Sequence, residues 1–430
     1  MRMKSYKNRV FDGILKDALD AKGAVLIEGA KWCGKTTTAE QIAKSIIYMN
    51  DPARREQYHM MAQANPQRLL AGEYPRLIDE WQTAPELWDS IRFDVDHSDE
   101  EGKYILTGSA VPLDDEAKKK IQHSGTGRFA WVKMRPMSLF ESLESSGSVS
   151  FAELFSGKKS LGDARVYTLE EMAYLTCRGG WPKAVDKTGR AALRQAFDYV
   201  DAVVGTDISR VDEVLRDPDV ALRVMKALAR LQGTQSSISA IKADLAPNAP
   251  HCGVHENTIY SYIGALKKIF VVEDMPAWCP NLRCKTPIRT TDTRYYTDPS
   301  IATAALGLGP DDLMNDLKTF GLFFETMVAR DLRTYAAAND GKVSHYRDKS
   351  GLECDAVMHL RNGRYGLIEV KLGGETLIAE GRAKLRRLAD EIDTKNMKEP
   401  SFRMVVIADG EYAYEETDGT LICPIGCLRP

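Results

Sequence analysis

The chain has 430 residues, with 58 Lys and Arg against 61 Asp and Glu and a formal charge of −3. A length of this order holds about two to four domains, each able to bury a core, and the near-balanced charge excludes wholesale adhesion to nucleic acid while leaving room for a local basic groove. No apolar run approaches the roughly 18 residues of a membrane span, and the opening MRMKSYKNRVFDGILKDALD has basic residues without the apolar core of a signal peptide, so a cytoplasmic protein without membrane contact is expected.

Residues 24–30, AVLIEGA, read as a short buried strand, and KWCGKTTTAEQIAKSII after them as a loop entering a helix. Across that junction Gly29, Ala30, Lys31, Trp32, Cys33, Gly34, Lys35 and Thr36 fit the Walker A pattern in its strand-then-helix setting. The glycines let backbone N–H groups curl round phosphate oxygens, and the helix amino end adds partial positive charge. Lys35 is expected to reach the β- and γ-phosphates of ATP and the Thr36 hydroxyl to ligate Mg2+, with Thr37 beside it in the same cradle.

In RLIDEWQ the apolar Leu77 and Ile78 precede Asp79 and Glu80. A strand ending in this way delivers Asp79 to the magnesium and leaves Glu80 to polarise the attacking water as general base. KYILTGSA reads as a further strand. Its polar end, Thr107 to Ser109, lies beside the γ-phosphate if that strand sits between the other two; a plain strand-to-turn ending at Gly108 is the other reading. In HSGTGRFAWVKMRPMSLFE, Arg128 stands in a glycine-flanked loop before a strand. An arginine there either stabilises transition-state charge on a bound or neighbouring nucleotide or is an ordinary surface residue.

The order GAKWCGKT, RLIDEW, YILTGS, GTGRFAWVKMRPMSLFE and RGGWPKAV resembles that of the prokaryotic AAA+-type ATP-binding proteins of largely unknown role, over nearly the whole chain. The resemblance implies an α/β fold with an AAA+-type P-loop ATPase core over residues 1–140, a helical lid over 141–217, a winged helix over 218–297 and a restriction-endonuclease-like domain over 298–430. It further implies hydrolysis of ATP to ADP and phosphate with Mg2+, a homo-oligomer or dimer, and a catalytic role for Arg128. Thr126 stands where the family's Ala-Gly-Arg has its alanine.

Residues 140–217 read as polar-rich helices broken at TCRGGWPKAV, where Gly179, Gly180 and Pro182 make a turn between helices. SSGSVS and SGKKSLGDA read as flexible insertions. DVALRVMKALARLQG has apolar residues at helical spacing and a stop at Gly233, SISAIKADL makes a shorter helix, and HENTIYSYIGALKKIFVVEDMPAW a third running into a strand. This succession outlines a winged helix-turn-helix whose third helix could enter a DNA groove. Its candidate DNA-facing residues, His255, Asn257, Lys267 and Lys268, are few and only mildly basic, so a structural or protein-contact role is the favoured expectation.

TFGLFFETMVARDLRTYAAA is a helix carrying Glu325, and KVSHYRDKSGLECDAVMHL, a turn at RNG and RYGLIEVKLGG read as hairpin strands. Glu369 and Lys371, two apart, share a strand face, and alternation places Asp355 beside them from the neighbouring strand. Asp355 through Glu369-Val370-Lys371 resembles the PD-(D/E)XK nuclease signature. The resemblance implies that the acids hold a second Mg2+ or Mn2+, that Lys371 orients water or steadies the scissile phosphate, and that Glu325 adds an acid from its helix. The plain alternative is a solvated ion pair on an exposed strand face. A basic segment, RAKLRRL, flanks these strands.

The eight cysteines are expected to be thiols. Cys279, Cys284, Cys423 and Cys427 could form a thiolate zinc site only at spacings looser than such sites use. Two functions stand open. One is a Mg2+-dependent ATPase whose nuclease-like domain contacts or cleaves DNA; the other is a nucleotide-dependent switch whose inactive nuclease-like domain binds a protein partner.

Overall fold

The runs AVLIE, RLID and YILTG are almost wholly buried, as parallel strands covered on both faces must be. The computed structural model describes residues 6–108, 125–212, 214–245, 254–279 and 291–430, which fall into two compact units. Unit 1 takes the residues up to 135 together with 205–217 and 264–270, and unit 2 takes the rest. The segments expected as lid, winged helix and endonuclease-like domain thus lie for the most part in unit 2. No described helix is long and apolar enough to cross a membrane.

In unit 1 the strands β1 (Ala24–Glu28), β2 (Ser45–Tyr48), β3 (Arg76–Asp79), β4 (Tyr104–Gly108) and β5 (Phe129–Lys133) form one parallel sheet in the order β2-β3-β4-β1-β5. β4 therefore lies between β1 and β3, and its register sets Thr107 level with Asp79. The helix Val10–Ala21 buries Phe11, Leu15 and Leu19 along one stripe. The core includes Trp81, Trp88, Phe129, Tyr104 and Leu106, with Trp88 stacked on Phe129 at a centroid distance of 4.0 Å.

In unit 2 two short pairings precede and close the main sheet. β6 (Val149–Ser150) pairs with β15 (Leu428–Arg429), and β7 (Val272–Met275) with β8 (Thr293–Tyr296). The main sheet holds β9 (Gly341–Arg347), β10 (Glu353–Leu360), β11 (Tyr365–Lys371), β12 (Phe402–Ile407), β13 (Tyr414–Glu415) and β14 (Thr420–Pro424), in the order β13-β14-β12-β11-β10-β9. β9 to β11 are antiparallel neighbours, whereas β12 runs parallel to β11. Parallel neighbours need a crossover, and the helix Glu375–Glu391 supplies it, burying Leu385 and Leu388 against Val357, Leu367 and Val405.

Two readings of the sequence are corrected in unit 2. Residues 145–150 and 156–164 are not flexible insertions: Ser146 N donates to Gly426 O at 2.7 Å, Ser145 Oγ to Leu428 O at 2.7 Å and Ala164 N to Glu411 O at 2.8 Å. Their small polar residues serve to bring backbone against residues 411–428. The cysteines are not all thiols either. Cys33, Cys177, Cys354, Cys423 and Cys427 are buried and free, but Cys279 is disulfide-bonded, and Cys284 lies outside the described residues.

The break at RGGW does more than separate helices. A Cβ on Gly179, whose φ is 70°, would stand 2.2 Å from Asp298 Oδ1, and one on Gly180 would stand 2.0 Å from Met137 O. Both glycines allow backbone to close on a buried charge cluster. Arg330 is 2% exposed and donates to Asp298 Oδ2 at 2.9 Å and Asp331 Oδ1 at 2.8 Å. Asp298 also accepts from Gly180 N at 2.9 Å, and Asp331 from Leu139 N at 2.9 Å. Replacing Arg330 by Met leaves two buried carboxylates without their cation, and such a loss costs about 3–5 kcal/mol. Denaturant titration of Arg330→Met should show a loss of that size; stability equal to the parent would mean that the cluster contributes nothing.

Candidate functional site

The P-loop leaves β1 with backbone that glycine alone adopts easily. Gly29 has φ 151° and Gly34 φ 107°, and a Cβ on Gly29 would stand 2.1 Å from Met134 O. Gly34 immediately precedes the helix Lys35–Glu40. Ala30 and Cys33 are buried, while Trp32, with φ 67°, is 46% exposed and Thr37 is exposed. Lys31 Nζ lies 2.5 Å from Asp207 Oδ1.

Lys35 is only 6% exposed, and its ammonium donates to Gly29 O at 2.7 Å and Ala30 O at 2.9 Å. Among the described residues no carboxylate forms an ion pair with it. A buried ammonium held by carbonyls alone is a strong demand for an anion. Beside it, Asp79 Oδ1 accepts from Thr36 Oγ1 at 2.7 Å and Thr107 Oγ1 at 2.6 Å. Glu80, the next residue, is held in the left-handed region with φ 57° and ψ 44°, and its carboxylate accepts from the Gln82 amide. Ser109 lies outside the described residues.

Arg128 is placed differently. It precedes Phe129, which pairs with Ala24 at the start of β1, whereas the P-loop begins after Glu28 at the other end. The four steps from Ala24 to Glu28, at ~3.3 Å rise each, separate the two ends by roughly 13 Å. Its Nε lies 2.5 Å from Asp96 Oδ1.

No motif pointed to Arg9, yet it braces the loop. Its guanidinium donates to Cys33 O and Arg135 O, each at 2.8 Å. The only local signal is its position before the helix Val10–Ala21, where Asp12 accepts from Arg9 N at 2.8 Å.

The second cluster sits in unit 2. The register that pairs Ala356 with Ile368 brings Asp355, one step on, across from Glu369. Lys371 Nζ stands 2.9 Å from Glu369 Oε2 and 3.7 Å from Asp355 Oδ2, and Lys384 Nζ is 3.8 Å from Glu369 Oε2. Asp355 Oδ2 also accepts from Val370 N at 2.8 Å. Glu369 is wholly buried, so it is no solvated surface pair. Glu325 Oε1 accepts from the Tyr295 phenol at 2.5 Å, a partner the sequence did not suggest because it lies 30 residues away. Burial first, then the charge of Asp355, pushes both Glu325 and Glu369 up to about 8, against the opposing charge of Lys371. The expected residues thus share one locality. Among the described residues, however, no three His, Cys, Asp or Glu side chains are arranged to hold a metal ion; the Lys371 ammonium stands between Asp355 and Glu369.

Residues 21–143 match a family model described as an AAA domain. Residues 169–312 and 320–428 match two models described as domains of unknown function, DUF8612 and DUF4143. The uncharacterized proteins Mb2031c of Mycobacterium bovis and Rv2008c of Mycobacterium tuberculosis are each 23% identical over 362 residues, which cover 83% of this chain and 72% of theirs. Among solved structures the chain is similar to a Walker-type ATPase of Pyrococcus abyssi, at 16% identity and a TM-score of 0.43, covering 70% of this chain and 96% of that one. It is similar also to the ORC2 protein of Aeropyrum pernix, at 11% identity and a TM-score of 0.32, covering 76% and 97%. Residues 21–143 therefore carry an AAA-type P-loop domain, which supports ATP binding.

The raised carboxyls of unit 2 have a pH consequence of definite sign. Below the ordinary value of 4.5 both folded and unfolded chains hold these protons; between 4.5 and about 8 only the folded chain does. Their contribution to stability is therefore present at low pH and is lost as pH rises through about 8. Melting temperatures from pH 5 to pH 8.5 should fall more steeply for the parent than for Glu369→Gln, and parallel curves would show that Glu369 ionises normally.

Proposed function

We propose that the protein is a Mg2+-dependent ATPase whose turnover controls a nuclease-like domain. The observation that carries the ATPase reading is Lys35, a buried ammonium with no carboxylate partner among the described residues, beside the Thr36–Asp79–Thr107 cluster. These residues fit ATP with magnesium, since a carboxylate and a hydroxyl are the hard oxygen donors that ion takes. Thr36 and Asp79 would hold the ion, which when bound supplies charge neutralisation on the phosphates.

In this reading Lys35 binds the β- and γ-phosphates, Thr107 and Ser109 position the γ-phosphate, and Glu80 takes the proton of the attacking water. The Gln82 amide orients the Glu80 carboxylate. A left-handed conformation costs a residue with a side chain roughly 1–2 kcal/mol, and strain retained at a strand end supports a functional reason for it. Arg128, remote from the P-loop of its own chain, would act on the nucleotide of a second copy, which makes the working form a homo-oligomer.

For residues 218–296, the succession of helices Pro218–Arg230, Ile238–Leu245 and Glu256–Lys268 and the β7–β8 hairpin supports a winged helix. The Asp355, Glu369 and Lys371 cluster supports a nuclease-like domain that contacts or cleaves DNA with a second Mg2+ or Mn2+. Two observations favour instead a nucleotide-dependent switch whose inactive nuclease-like domain binds a protein partner. The Lys371 ammonium already lies against the Asp355 and Glu369 carboxylates and offsets part of their charge. Within the basic segment, Lys384 pairs with Glu353, Arg387 with Glu391, and Arg382 with Glu416 and Asp418, which leaves less charge for phosphates.

Lys35→Ala should abolish binding of a fluorescent ATP analogue. Glu80→Gln should keep that binding and lose about 10²–10⁴-fold in phosphate release, the usual span for a general base; unchanged turnover would remove Glu80 from the role. Mixed Lys35→Ala and Arg128→Ala chains should recover part of the activity, and no recovery would place Arg128 outside a neighbour's site.

Duplex DNA separates the two readings of unit 2. An ATP-driven DNA enzyme should show turnover that rises with DNA and weakens with salt, together with Mn2+-dependent nicking abolished by Asp355→Ala. Turnover indifferent to DNA, without nicking in Mg2+ or Mn2+, would leave the protein-binding switch.

A further inference from the structure

The helix Pro218–Arg230 turns Ala221, Val224, Met225, Ala227 and Leu228 inward. Its opposite face carries Arg223, Lys226 and Arg230, spaced i, i+3 and i+7, so that the three cations rise one above another. They line a cavity of about 420 Å³ whose other described walls are Leu245 and Leu306, the last residues of the helices Ile238–Leu245 and Pro299–Leu306. This volume lies within the range of small-ligand sites, about 300–1,000 Å³.

The charges on this cavity are poorly compensated. Arg230 is paired with Asp244, its Nε 2.9 Å from Oδ1, but among the described residues Lys226 forms no hydrogen bond or ion pair, and Arg223 meets only the Asp219 carbonyl at 3.4 Å. Among the described residues, three cations against one carboxylate leave two positive charges facing the same space. Like charges at these spacings destabilise a helix. At the end of the helix Pro299–Leu306 the Ala304 and Thr303 carbonyls are taken by Gly307 N at 3.0 Å and Leu308 N at 2.9 Å, so these two do not call for a cation.

We propose that this cavity binds a small phosphorylated molecule of about the size of a nucleoside monophosphate. Its phosphate sits between Arg223 and Lys226, and its carbon body lies against Leu245 and Leu306. A phosphate dianion matches the two uncompensated charges, and guanidinium with ammonium is a donor pair suited to it. A nucleic-acid strand fits less well, since a backbone track needs cations that continue along a surface; here Arg230 is tied to Asp244, and the other described lining residues are the apolar Leu245 and Leu306. The site involves neither the P-loop nor the Asp355 cluster.

The test is calorimetric titration of the full chain carrying Lys35→Ala, which removes the main phosphate ligand of the P-loop, with AMP and with inorganic pyrophosphate in separate arms. Saturable binding in either arm that weakens at least tenfold on adding Arg223→Ala and Lys226→Ala supports the site. Lys226→Met, which keeps the apolar stem, and Leu306→Trp, which fills the cavity while leaving the charges, should each weaken it too, and guard against a double variant that fails to fold. Absence of saturable binding in both arms, or affinity untouched by these substitutions, overturns the proposal. A duplex oligonucleotide released by the double substitution, with neither small anion bound, overturns it as well by making the face a nucleic-acid contact.

Discussion

Arg330 must be kept away from water with both of its carboxylates, and unit 2 is arranged round that requirement. A planar guanidinium presents its donors in fixed directions, so Asp298 and Asp331 can be satisfied in few ways. Asp298 ties in the backbone of Gly180 and the side chain of Ser300, and Asp331 ties in the backbone of Leu139. Four stretches far apart in sequence are thereby brought to one point. The RGGW turn is shaped by this closeness, because a methyl group at either glycine would enter space held by Asp298 or Met137.

Unit 1 obeys a different constraint, the insertion of β4 between β1 and β3. That order carries Thr107 to Asp79 while leaving the P-loop at the same end of the sheet. The Thr36 and Thr107 hydroxyls then meet the Asp79 carboxylate, while the Lys35 ammonium keeps to the carbonyls of its own loop. Arg9 secures the far side of the loop by binding two backbone carbonyls, and Lys31 joins the loop to Asp207. The groups that would meet a nucleotide are thus held before it arrives, which lowers the ordering cost of binding.

The acid cluster of unit 2 is tense in a way the P-loop is not. Glu369 is fully buried, and among the described residues its Oε1 has no hydrogen-bond partner. Lys371 and Lys384 approach only the other oxygen. Tyr295 in β8 takes Glu325, and a Cβ on Gly233 would come within 3.2 Å of the same carboxylate. The hairpin and the residues after the helix Pro218–Arg230 therefore border the cluster. Any ligand of these acids must compete with a lysine and a phenol already in place.

The Walker loop and the acid pair after β3 were legible because their chemistry is local. A glycine that needs positive φ, a lysine one residue on and a hydroxyl after it stay together whatever the rest of the chain does. Strand alternation likewise put Glu369 and Lys371 on one face and Asp355 near them. The sequence alone therefore determined a phosphate-binding loop, its acid pair and the neighbourhood of a second set of acids. Tertiary structure decided everything that depends on partners distant in the chain: Arg9 on the loop, Asp207 on Lys31, Tyr295 on Glu325, and the end of the sheet at which Arg128 stands. It also showed that serine-rich stretches expected to be flexible are hydrogen-bonded to Glu411, Gly426 and Leu428 near the end of the chain. Spacing cannot reveal such pairings, since a buried charge or polar backbone must find a partner but nothing in its own neighbours says which one the fold will bring.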